Sequence, residues 1–357
     1  MIVFIFIFVA VLLYCLWLPT VRRGLKGLSC KRAFSVPAVF QGQEGELIET
    51  VRNSSSCMIP WLRIESRISP YLRLGKQSNL HVAGEMYYCS VFTLMPYQQI
   101  RRTHKVRFTH RGVFNLGNAS LTAGDFLGLY SSQRSQNLSA QILVYPQLLT
   151  DEQIPSLMSR QLGDLSRRRQ LLEDPFLVRG IRPYVPGDPV RDIHWPATAR
   201  VGETQVRVHD YTTRTRLLVV LNVQSEELQW QDTLEQKHEP LMEYAISLAA
   251  TLCTKALRDG LSAGFATNMS VQSSNAPVLM LPADGAARTE EMLAMFARLE
   301  LVRRQYFPVF LESLNHCTGL DILVLSMYDS GAIQQQIQQL RLRGNQVTMH
   351  LLEGGAK

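Results

Sequence analysis

The spacing of apolar residues changes along this chain, and that change limits the folds it can adopt. Between residues 34 and 146 the apolar runs are short and broken by turn residues. In Leu62–Ile68 and again in Lys105–Thr109, apolar side chains alternate with charged or polar ones. This alternation is typical of strands that bury one face. The sequence therefore predicts an antiparallel β-sandwich over residues 33–148.

From Arg216 onward the apolar pattern is of a different kind. Leu217–Leu221 is a continuous apolar run, which favours a strand covered on both faces. Leu241, Ala245, Leu248, Leu252 and Ala256 then recur at helical spacing, and further strand and helix patterns alternate up to Leu352. The β-α-β-α-β order predicts a Rossmann-like α/β domain over residues 216–355, in a chain of the α+β multidomain class.

Residues 2–18 are apolar and carry no charge. As a helix they would span roughly 26 Å at about 1.5 Å per residue, which is enough to cross a bilayer. We therefore expect an N-terminal transmembrane helix that anchors the chain, with residues 1–20 as the anchor. A cleaved signal peptide and a buried strand are the alternatives; no positive residue precedes the apolar stretch, which disfavours the signal peptide.

Basic residues follow this stretch and none precedes it. They are Arg22, Arg23, Lys26, Lys31 and Arg32, and the positive-inside rule then predicts a single-pass protein of the inner or plasma membrane with a cytoplasmic body. Part of the net charge of +7 belongs to this flank, where anionic lipid would be its partner. No nucleic-acid-binding motif accompanies the charge, so a nucleic-acid partner is not expected.

Residues 149–215, which join the two predicted domains, have an unusual charge chemistry. Residues 158–216 contain eleven arginines, no lysine and seven acidic residues. Guanidinium groups form flat, two-pronged bonds to carboxylates and phosphates, so this bias indicates fixed ion pairs more than bulk charge. The alternative is a solvated charged linker.

A distinctive run of residue types stands inside this connecting segment. From Arg179 to Trp195 it reads RGIRPYVPGDPVRDIHW, and Ala199-Arg200 follows. It resembles the signature R-x-Y-x-x-G-D-x-x-R-x-I-H-W, then A-R, of the domain-of-unknown-function 58 family. We take as candidate partner-docking or structural residues Arg179, Arg182, Tyr184, Gly187, Asp188, Arg191, His194, Trp195 and Arg200.

The resemblance carries several expectations. It is also seen in Arg111-Gly112, in Asp125–Leu129 and in Val144–Pro146. It implies a membrane-associated protein whose α/β domain is similar to von Willebrand factor A domains, and which works beside a MoxR-type AAA+ ATPase in the assembly or maturation of protein complexes. It implies no catalytic activity and no cofactor.

Domains of the von Willebrand factor A type often bind a divalent cation after their first strand through D-x-S-x-S, because a carboxylate and two hydroxyls supply hard oxygen ligands. Here the corresponding positions hold Asn222, Gln224 and Glu226. The acid and both serines are replaced, so we expect a degenerate position that holds no metal.

The sequence thus predicts a non-enzymatic protein-interaction module. Arg182, Arg191 and Arg200 are expected to pair with Asp188, Asp192 or the acidic residues of a partner. The main rival is a hydrolase or transferase centred on His194 and the neighbouring acids, since histidine is the usual general base. A third reading is a cation-dependent binding protein.

Overall fold

A computed structural model describes Phe4 and residues 26–75, 80–83, 87–125, 130–171, 173–211, 216–272 and 274–352. The chain divides into two compact units, Met1–Gln147 and Leu148–Lys357. The connecting segment predicted over residues 149–215 therefore belongs to the second unit, together with the predicted α/β domain.

In its described residues, the first unit contains ten strands in two sheets. The strands are β1 (Leu28–Phe34), β2 (Ala38–Phe40), β3 (Glu44–Asn53), β4 (Ile59–Arg67), β5 (Leu72–Leu74), β6 (Leu80–Ala83), β7 (Tyr87–Leu94), β8 (Gln99–Phe108), β9 (Gly112–Gly124) and β10 (Ser131–Tyr145). One sheet has the order β1-β3-β8-β5 and the other β2-β10-β9-β4-β7-β6. All pairings are antiparallel except that of β2 with β10.

The two sheets share their buried side chains, so they form a sandwich. One apolar cluster joins Cys30 and Val51 of the first sheet to Leu62, Phe92 and Leu121 of the second. Gly117 lies inside the long strand β9. Gly124 at the end of β9 is required by packing, because a Cβ there would overlap the ring of Trp61.

A charged network is buried inside this sandwich. The guanidinium of Arg32 on β1 donates to Glu49 on β3 at 2.8 Å and to Ser66 on β4 at 2.7 Å. The hydroxyl of Tyr88 on β7 donates to Glu49 at 3.1 Å and lies 2.9 Å from Nε2 of His104 on β8. The network therefore ties the two sheets together through polar side chains.

This placement removes Arg32 from the predicted lipid-contacting basic flank. Lys31 is exposed, but the side chain of Arg32 is fully buried and paired with Glu49. Burial of an arginine is tolerated because a carboxylate and a hydroxyl satisfy it. Arg22 and Arg23 lie outside the described residues.

The second unit has a central five-stranded sheet. Its elements are β11 (Glu173–Pro183), β12 (Gln205–Tyr211), β13 (Arg216–Leu221), β14 (Ser262–Thr267), β15 (Met269–Val271), β16 (Val278–Ala283), β17 (Leu299–Arg303), β18 (Asp321–Ser326) and β19 (Gln346–Leu351), and the helices α1 (Ser156–Leu171), α2 (Trp195–Val201), α3 (Glu239–Arg258), α4 (Ala286–Arg298), α5 (Phe307–Ser313) and α6 (Gly331–Leu342). The sheet order is β16-β14-β13-β18-β19, with β16 antiparallel and the other strands parallel. β11 pairs with β12, and β15 with β17, in two small antiparallel sheets.

Helices cover both faces of the central sheet. On one face, Leu217 and Val219 pack in a cluster with α3 and α4. On the other face, Leu218 and Val220 pack with α5 and α6. The run Leu217–Leu221 is continuous in sequence because successive side chains enter two different cores.

Helix α1 belongs to the first of these cores. Ile154, Met158, Leu162 and Leu165 are buried with Leu217 and Leu323 of the sheet. Met158, Leu162 and Leu165 are spaced four and three residues apart, which places them on one face of α1, and Ile154 lies two residues before the helix begins. The amino-terminal part of the predicted connecting segment is therefore part of the core of the α/β unit.

The predicted transmembrane helix is corrected by the structure. Across the described ranges, no helix is both long enough and apolar enough to cross a membrane. Apart from Phe4, residues 2–18 lie outside those ranges, and their apolar character was the whole basis of the prediction. With 17 residues, the stretch is at the lower limit of the roughly 17–25 residues that a spanning helix needs. The single-pass membrane localisation and the anchor over residues 1–20 are withdrawn with it.

Candidate functional site

The signature residues lie on a small projecting substructure of the second unit. Strands β11 and β12 form its two-stranded ribbon, with a 3₁₀ turn over Val190–Asp192 and the helix α2 between them. The backbone N–H of His194 donates to the carbonyl of Gln205 at 2.7 Å, and that of Tyr184 donates to the carbonyl of Thr204 at 2.8 Å. The segment that joins the two strands is thus tied back to β12. We call residues 181–201 the signature surface.

A tight turn begins the signature surface. The N–H of Asp188 donates to the carbonyl of Val185 at 3.0 Å, with Pro186 and Gly187 between them. Gly187 has a φ of 113°, a conformation that side chains with a Cβ rarely adopt. Proline followed by glycine is the sequence preference of a type II turn. The Pro186-Gly187 pair therefore specifies the turn locally.

Asp188 closes this turn through an ion pair. The two Nη atoms of Arg182 each donate to one carboxylate oxygen of Asp188, both at 2.6 Å. The N–H of Val185 also donates to Asp188, at 2.9 Å. The hydrogen bonds from Arg182, followed by that from Val185, lower the pKa of the Asp188 carboxyl below its usual value. Two signature residues thus hold the geometry of the turn.

His194 begins helix α2. Its Nδ1 accepts the N–H of Ala197 at 3.0 Å, so the imidazole serves as the N-cap of the helix. Nδ1 is an acceptor here, and in the neutral ring the proton therefore resides on Nε2. Among the described residues, none forms a hydrogen bond with Nε2, and no nucleophile is placed against it. This geometry gives His194 a structural role.

Most of the remaining side chains of the signature surface face solvent. Trp195 is 66% exposed and Val190 70% exposed, although both are large apolar residues. Ile181, Tyr184, Val185 and Val201 are exposed as well. An accumulation of large apolar side chains on a surface marks an interaction site more often than chance exposure does.

Two arginines extend this apolar surface with positive charge. The side chain of Arg191 is 84% exposed, and its Nε lies 3.8 Å from Asp192, too far for a hydrogen bond. Arg200, in the last turn of α2, is exposed. The side chain of Arg179 lies outside the described residues. The paired Arg182 and the two exposed arginines are thus in different environments, although the sequence grouped them together.

The degenerate metal position lies at the carboxyl edge of the central sheet. Asn222, just after β13, is fully buried and donates through Nδ2 to the hydroxyl of Ser326 at 3.0 Å. Its Oδ1 accepts the N–H of Gln224 at 3.0 Å and the Nδ2 of Asn268 at 3.3 Å. Three strand ends are therefore cross-linked by amide and hydroxyl groups.

The other two predicted positions, Gln224 and Glu226, differ in their exposure. Gln224 is buried, and its Oε1 accepts the N–H of Phe307 at 2.8 Å. Its Nε2 has no hydrogen-bond partner in the described part of the chain. Glu226 is exposed to solvent. Within the described ranges, no three His, Cys, Asp or Glu side chains are grouped closely enough to hold a metal ion.

A match to a protein family covers both the signature surface and Asn222. Residues 180–304 match the family described as "Protein of unknown function DUF58". This DUF58 region begins one residue after Arg179, includes the whole signature surface and continues through α4 to the end of β17. It leaves out β18 and β19 and the upstream elements of the first unit that resembled the family. The family description assigns no activity.

Solved structures resemble the chain only weakly. A non-cellulosomal cohesin from the archaeon Archaeoglobus fulgidus shares 10% identity and a TM-score of 0.23, over 32% of this chain and 91% of its own. A CARDB domain from Pyrococcus furiosus shares 16% identity and a TM-score of 0.22, over 33% and 93%. A PapD-like domain of human CEP192 shares 9% identity and a TM-score of 0.23, over 33% and 86%. Scores this low carry no conclusion about this chain.

No curated protein matches the sequence.

The sequence did not indicate several residues of the signature surface and of the amide network around Asn222. Ile181, Val185 and Val190 are not signature types, yet they supply much of the exposed apolar area. Asn268 and Ser326 complete the amide network around Asn222, and each stands at the end of a strand that pairs with β13. That position after a predicted strand was the signal available in the sequence, because carboxyl ends of neighbouring parallel strands meet at one edge.

Proposed function

We propose that this chain is a non-enzymatic protein-interaction module that docks a partner protein through the signature surface. The proposal rests on the observation that some residues of this surface form its internal structure whereas others are exposed to solvent. Gly187, Arg182, Asp188 and His194 are used internally to build a turn and to cap a helix. Trp195 and its apolar neighbours are left in solvent on that scaffold.

A rigid scaffold beneath exposed apolar residues favours binding. Less side-chain and loop freedom is lost on association when the contact residues are already held in place. Aromatic residues and arginine are also the types that most often dominate the energy of protein interfaces. Trp195 and Tyr184, with Arg191 and Arg200 beside them in sequence, supply these types.

The chemistry of the surface favours a partner with an apolar pocket and an acidic rim. The exposed arginines would meet carboxylates, which guanidinium groups bind in a flat, two-pronged geometry. A MoxR-type AAA+ ATPase is the partner that the family resemblance implies, in the assembly or maturation of protein complexes. The α/β unit, with its neutral Asn222 position, is then a metal-free relative of von Willebrand factor A domains.

A hydrolase or transferase centred on His194 is disfavoured by the N-cap geometry. The lone pair of Nδ1 is occupied by the N–H of Ala197 and the proton of the neutral ring is on Nε2, whereas a general base needs a nitrogen with a free lone pair. The alternative of a cation-dependent binder is disfavoured by the amides at positions 222 and 224, since divalent cations prefer charged oxygen ligands.

Two tryptophan variants of the full chain test the proposal. We expect Trp195→Ala to weaken binding to a purified MoxR-type ATPase by at least about tenfold, the loss of about 1.4 kcal/mol typical of a truncated interface residue. Trp230→Ala is the matched control, because Trp230 is 96% exposed in the same unit but lies outside the signature surface. The measurement is the Kd by isothermal titration calorimetry. Equal losses in both variants would contradict the proposal, as would no binding by the unaltered chain.

A further inference from the structure

The positive charge of the chain is concentrated in the first unit. Residues 1–147 contain 16 lysines and arginines against 6 aspartates and glutamates. The net charge of the whole chain is only +7, so the second unit is net negative. Two of the six acids, Glu49 and Asp125, are fully buried. The surface of the first unit is therefore basic, and a basic surface attracts anionic partners.

Three of these cations stand together on the outer face of the four-stranded sheet. Residues along β3 and β8 alternate between core and solvent, and Arg52 and Arg101 are on the solvent side. Lys31 of β1 is exposed in the same alternation. The strand register places Lys31 opposite Thr50 and Thr50 opposite Arg101, in one row across three strands. Arg52 is two residues from Thr50 on β3, in the next row. We call Lys31, Arg52 and Arg101 the basic cluster.

The basic cluster has no acid of this chain beside it. In the described part of the chain, none of its three cations forms an ion pair. Its row neighbours across from Arg52 are the uncharged Ser29 and Gln99. Residues 1–25, which precede β1 and lie outside the described residues, contain no acid. Glu85, the one acid of the first unit that also lies outside them, stands between β6 and β7 of the other sheet.

The opposite end of the same face has a different charge balance. Glu46 of β3 lies opposite Lys105 of β8. Glu44 lies opposite Arg107 in the same pair of strands. Opposite charges directly across an antiparallel pair compensate each other. Uncompensated positive charge is thus greatest at the end that holds the basic cluster.

The spacing of the cluster indicates which anion fits it. Lys31 and Arg101 are separated by two strand spacings, about 10 Å between Cα atoms, and Arg52 is about 7 Å further along β3. Cations this far apart match several carboxylates along a chain better than one small ion. An extended segment with an acid at every second residue presents its carboxylates on one side, about 7 Å apart.

Nucleic acid fits the same face less well. Among the described residues of β1, β3 and β8, no exposed side chain is aromatic, so the face has no platform on which bases could stack. A duplex carries one charge about every 1.7 Å and would extend over Glu44 and Glu46. We infer that the basic cluster docks a short, extended acidic segment of a partner protein. This surface belongs to the first unit, so the inference does not depend on the proposed role of the signature surface.

An acidic peptide and its neutral counterpart test the inference on the full chain. The probe is acetyl-Glu-Ser-Glu-Ser-Glu-Ser-Glu-amide, and the counterpart has glutamine in place of every glutamate. Fluorescence anisotropy of the dye-labelled peptide gives the Kd, and backbone amide NMR gives the place of binding. We expect the acidic peptide alone to shift the amide signals of Lys31, Thr50 and Arg101, because charge pairing is the source of its affinity. Binding should weaken as salt is raised.

A triple variant removes the basic cluster. Lys31→Gln, Arg52→Gln and Arg101→Gln together should weaken binding of the acidic peptide by about tenfold or more, because three exposed ion pairs are lost. All three positions are exposed, and glutamine keeps a long polar side chain there. Unchanged amide signals in β4, β7 and β9 check that the fold is retained.

The matched control removes the same charge from the other end of the face. Arg73→Gln, Lys105→Gln and Arg107→Gln, all at exposed positions, should together weaken binding by no more than about threefold. Equal losses in the two triple variants would overturn the inference, as would equal affinity of the two peptides or unshifted amides in the cluster. A 12-base-pair DNA duplex is the rival probe. If the duplex lost more affinity than the peptide when the basic cluster was removed, nucleic acid would be the partner and the inference would be wrong.

Discussion

At the scale of single residues, the two ion pairs with the best hydrogen bonds have different roles. Arg182–Asp188 is at the surface and shapes a loop, while Arg32–Glu49 is sealed inside the β-sandwich. Exposed pairs contribute little to global stability, but breaking a buried pair leaves a charge without compensation. The two pairs therefore lead to different predictions.

The first prediction concerns the titration of Asp188. Its carboxyl should titrate below the usual range in the unaltered chain, because hydrogen bonds from Arg182 and Val185 favour the charged form. The local order that this pair maintains is then fully present above the ordinary aspartate pKa and is lost as the pH falls through the lowered value. Carboxyl ¹³C NMR titration measures the pKa of Asp188 directly.

The control for that titration is a second arginine of the same surface. Arg182→Ala should return the Asp188 pKa toward its ordinary value, whereas Arg191→Ala should leave it lowered, since Arg191 lies against Asp192. If both substitutions raised the Asp188 pKa alike, general positive charge would explain the effect, and the specific pair would not.

The second prediction concerns the buried pair. Arg32→Met should destabilise the sandwich by about 3–5 kcal/mol, because Glu49 is then left charged and buried without its partner. The comparison is Arg63→Met, which removes one member of the surface pair Arg63–Glu65 and should cost no more than about 1 kcal/mol. Amide hydrogen exchange of β3 and β8 reports the free energy of opening. Similar losses in the two variants would contradict the structural role given to Arg32.

The same pair predicts a dependence on pH. Burial alone would raise the pKa of Glu49, but the imidazole of His104, 3.8 Å from the carboxylate, and the charge of Arg32 outweigh burial and lower it. A carboxyl with a lowered folded-state pKa stabilises the fold above the ordinary glutamate pKa. That contribution is lost as the pH falls through the lowered value, and Glu49→Gln should flatten the acid side of the stability profile.

At the scale of elements, α1 is the least expected part of the fold. The prediction is that Met158→Ala, at a side chain only 1% exposed, destabilises the second unit by about 2–5 kcal/mol. Leu157→Ala, one residue earlier and 54% exposed, should change stability by no more than about 0.5 kcal/mol. Hydrogen exchange of β18 amides measures both. Equal effects would show that α1 does not pack on the sheet as described.

Elements whose burial is periodic could be read from the sequence. Leu217–Leu221 predicted β13, and Leu241 to Ala256 at helical spacing predicted α3, because each pattern follows from one local period. Strand β1 was missed for the opposite reason. Its inward positions are Leu28, Cys30 and Arg32, and an arginine at an inward position conceals the alternation until its partner on β3 is known.

In the candidate site, too, some features could be predicted from local sequence and others could not. The Pro186-Gly187 turn and the clustering of polar residues after β13 follow from local sequence. The choice of Asp188 as the partner of Arg182 depends on how the loop folds back, and so does the exposure of Val190 and Trp195. A sequence pattern states that arginines and acids are present, but only the fold assigns which of them face each other.

At the scale of the whole molecule, the chain combines two units of different construction. The first is a sandwich held by an apolar core and a buried charged network, and the second is an α/β sheet with helices on both faces. The signature surface and the amide network after β13 both belong to the second unit. The DUF58 region also lies within it.

The most direct test of the docking proposal is the hydrogen-exchange footprint of a MoxR-type ATPase on the full chain. Amides from Tyr184 to Val201 should exchange more slowly in the complex, since they lie at and beside the exposed Trp195 and Val190. Amides of residues 225–235, which include the exposed Trp230, should keep their free rates. Slower exchange only in residues 225–235, or in neither region, would contradict docking through the signature surface.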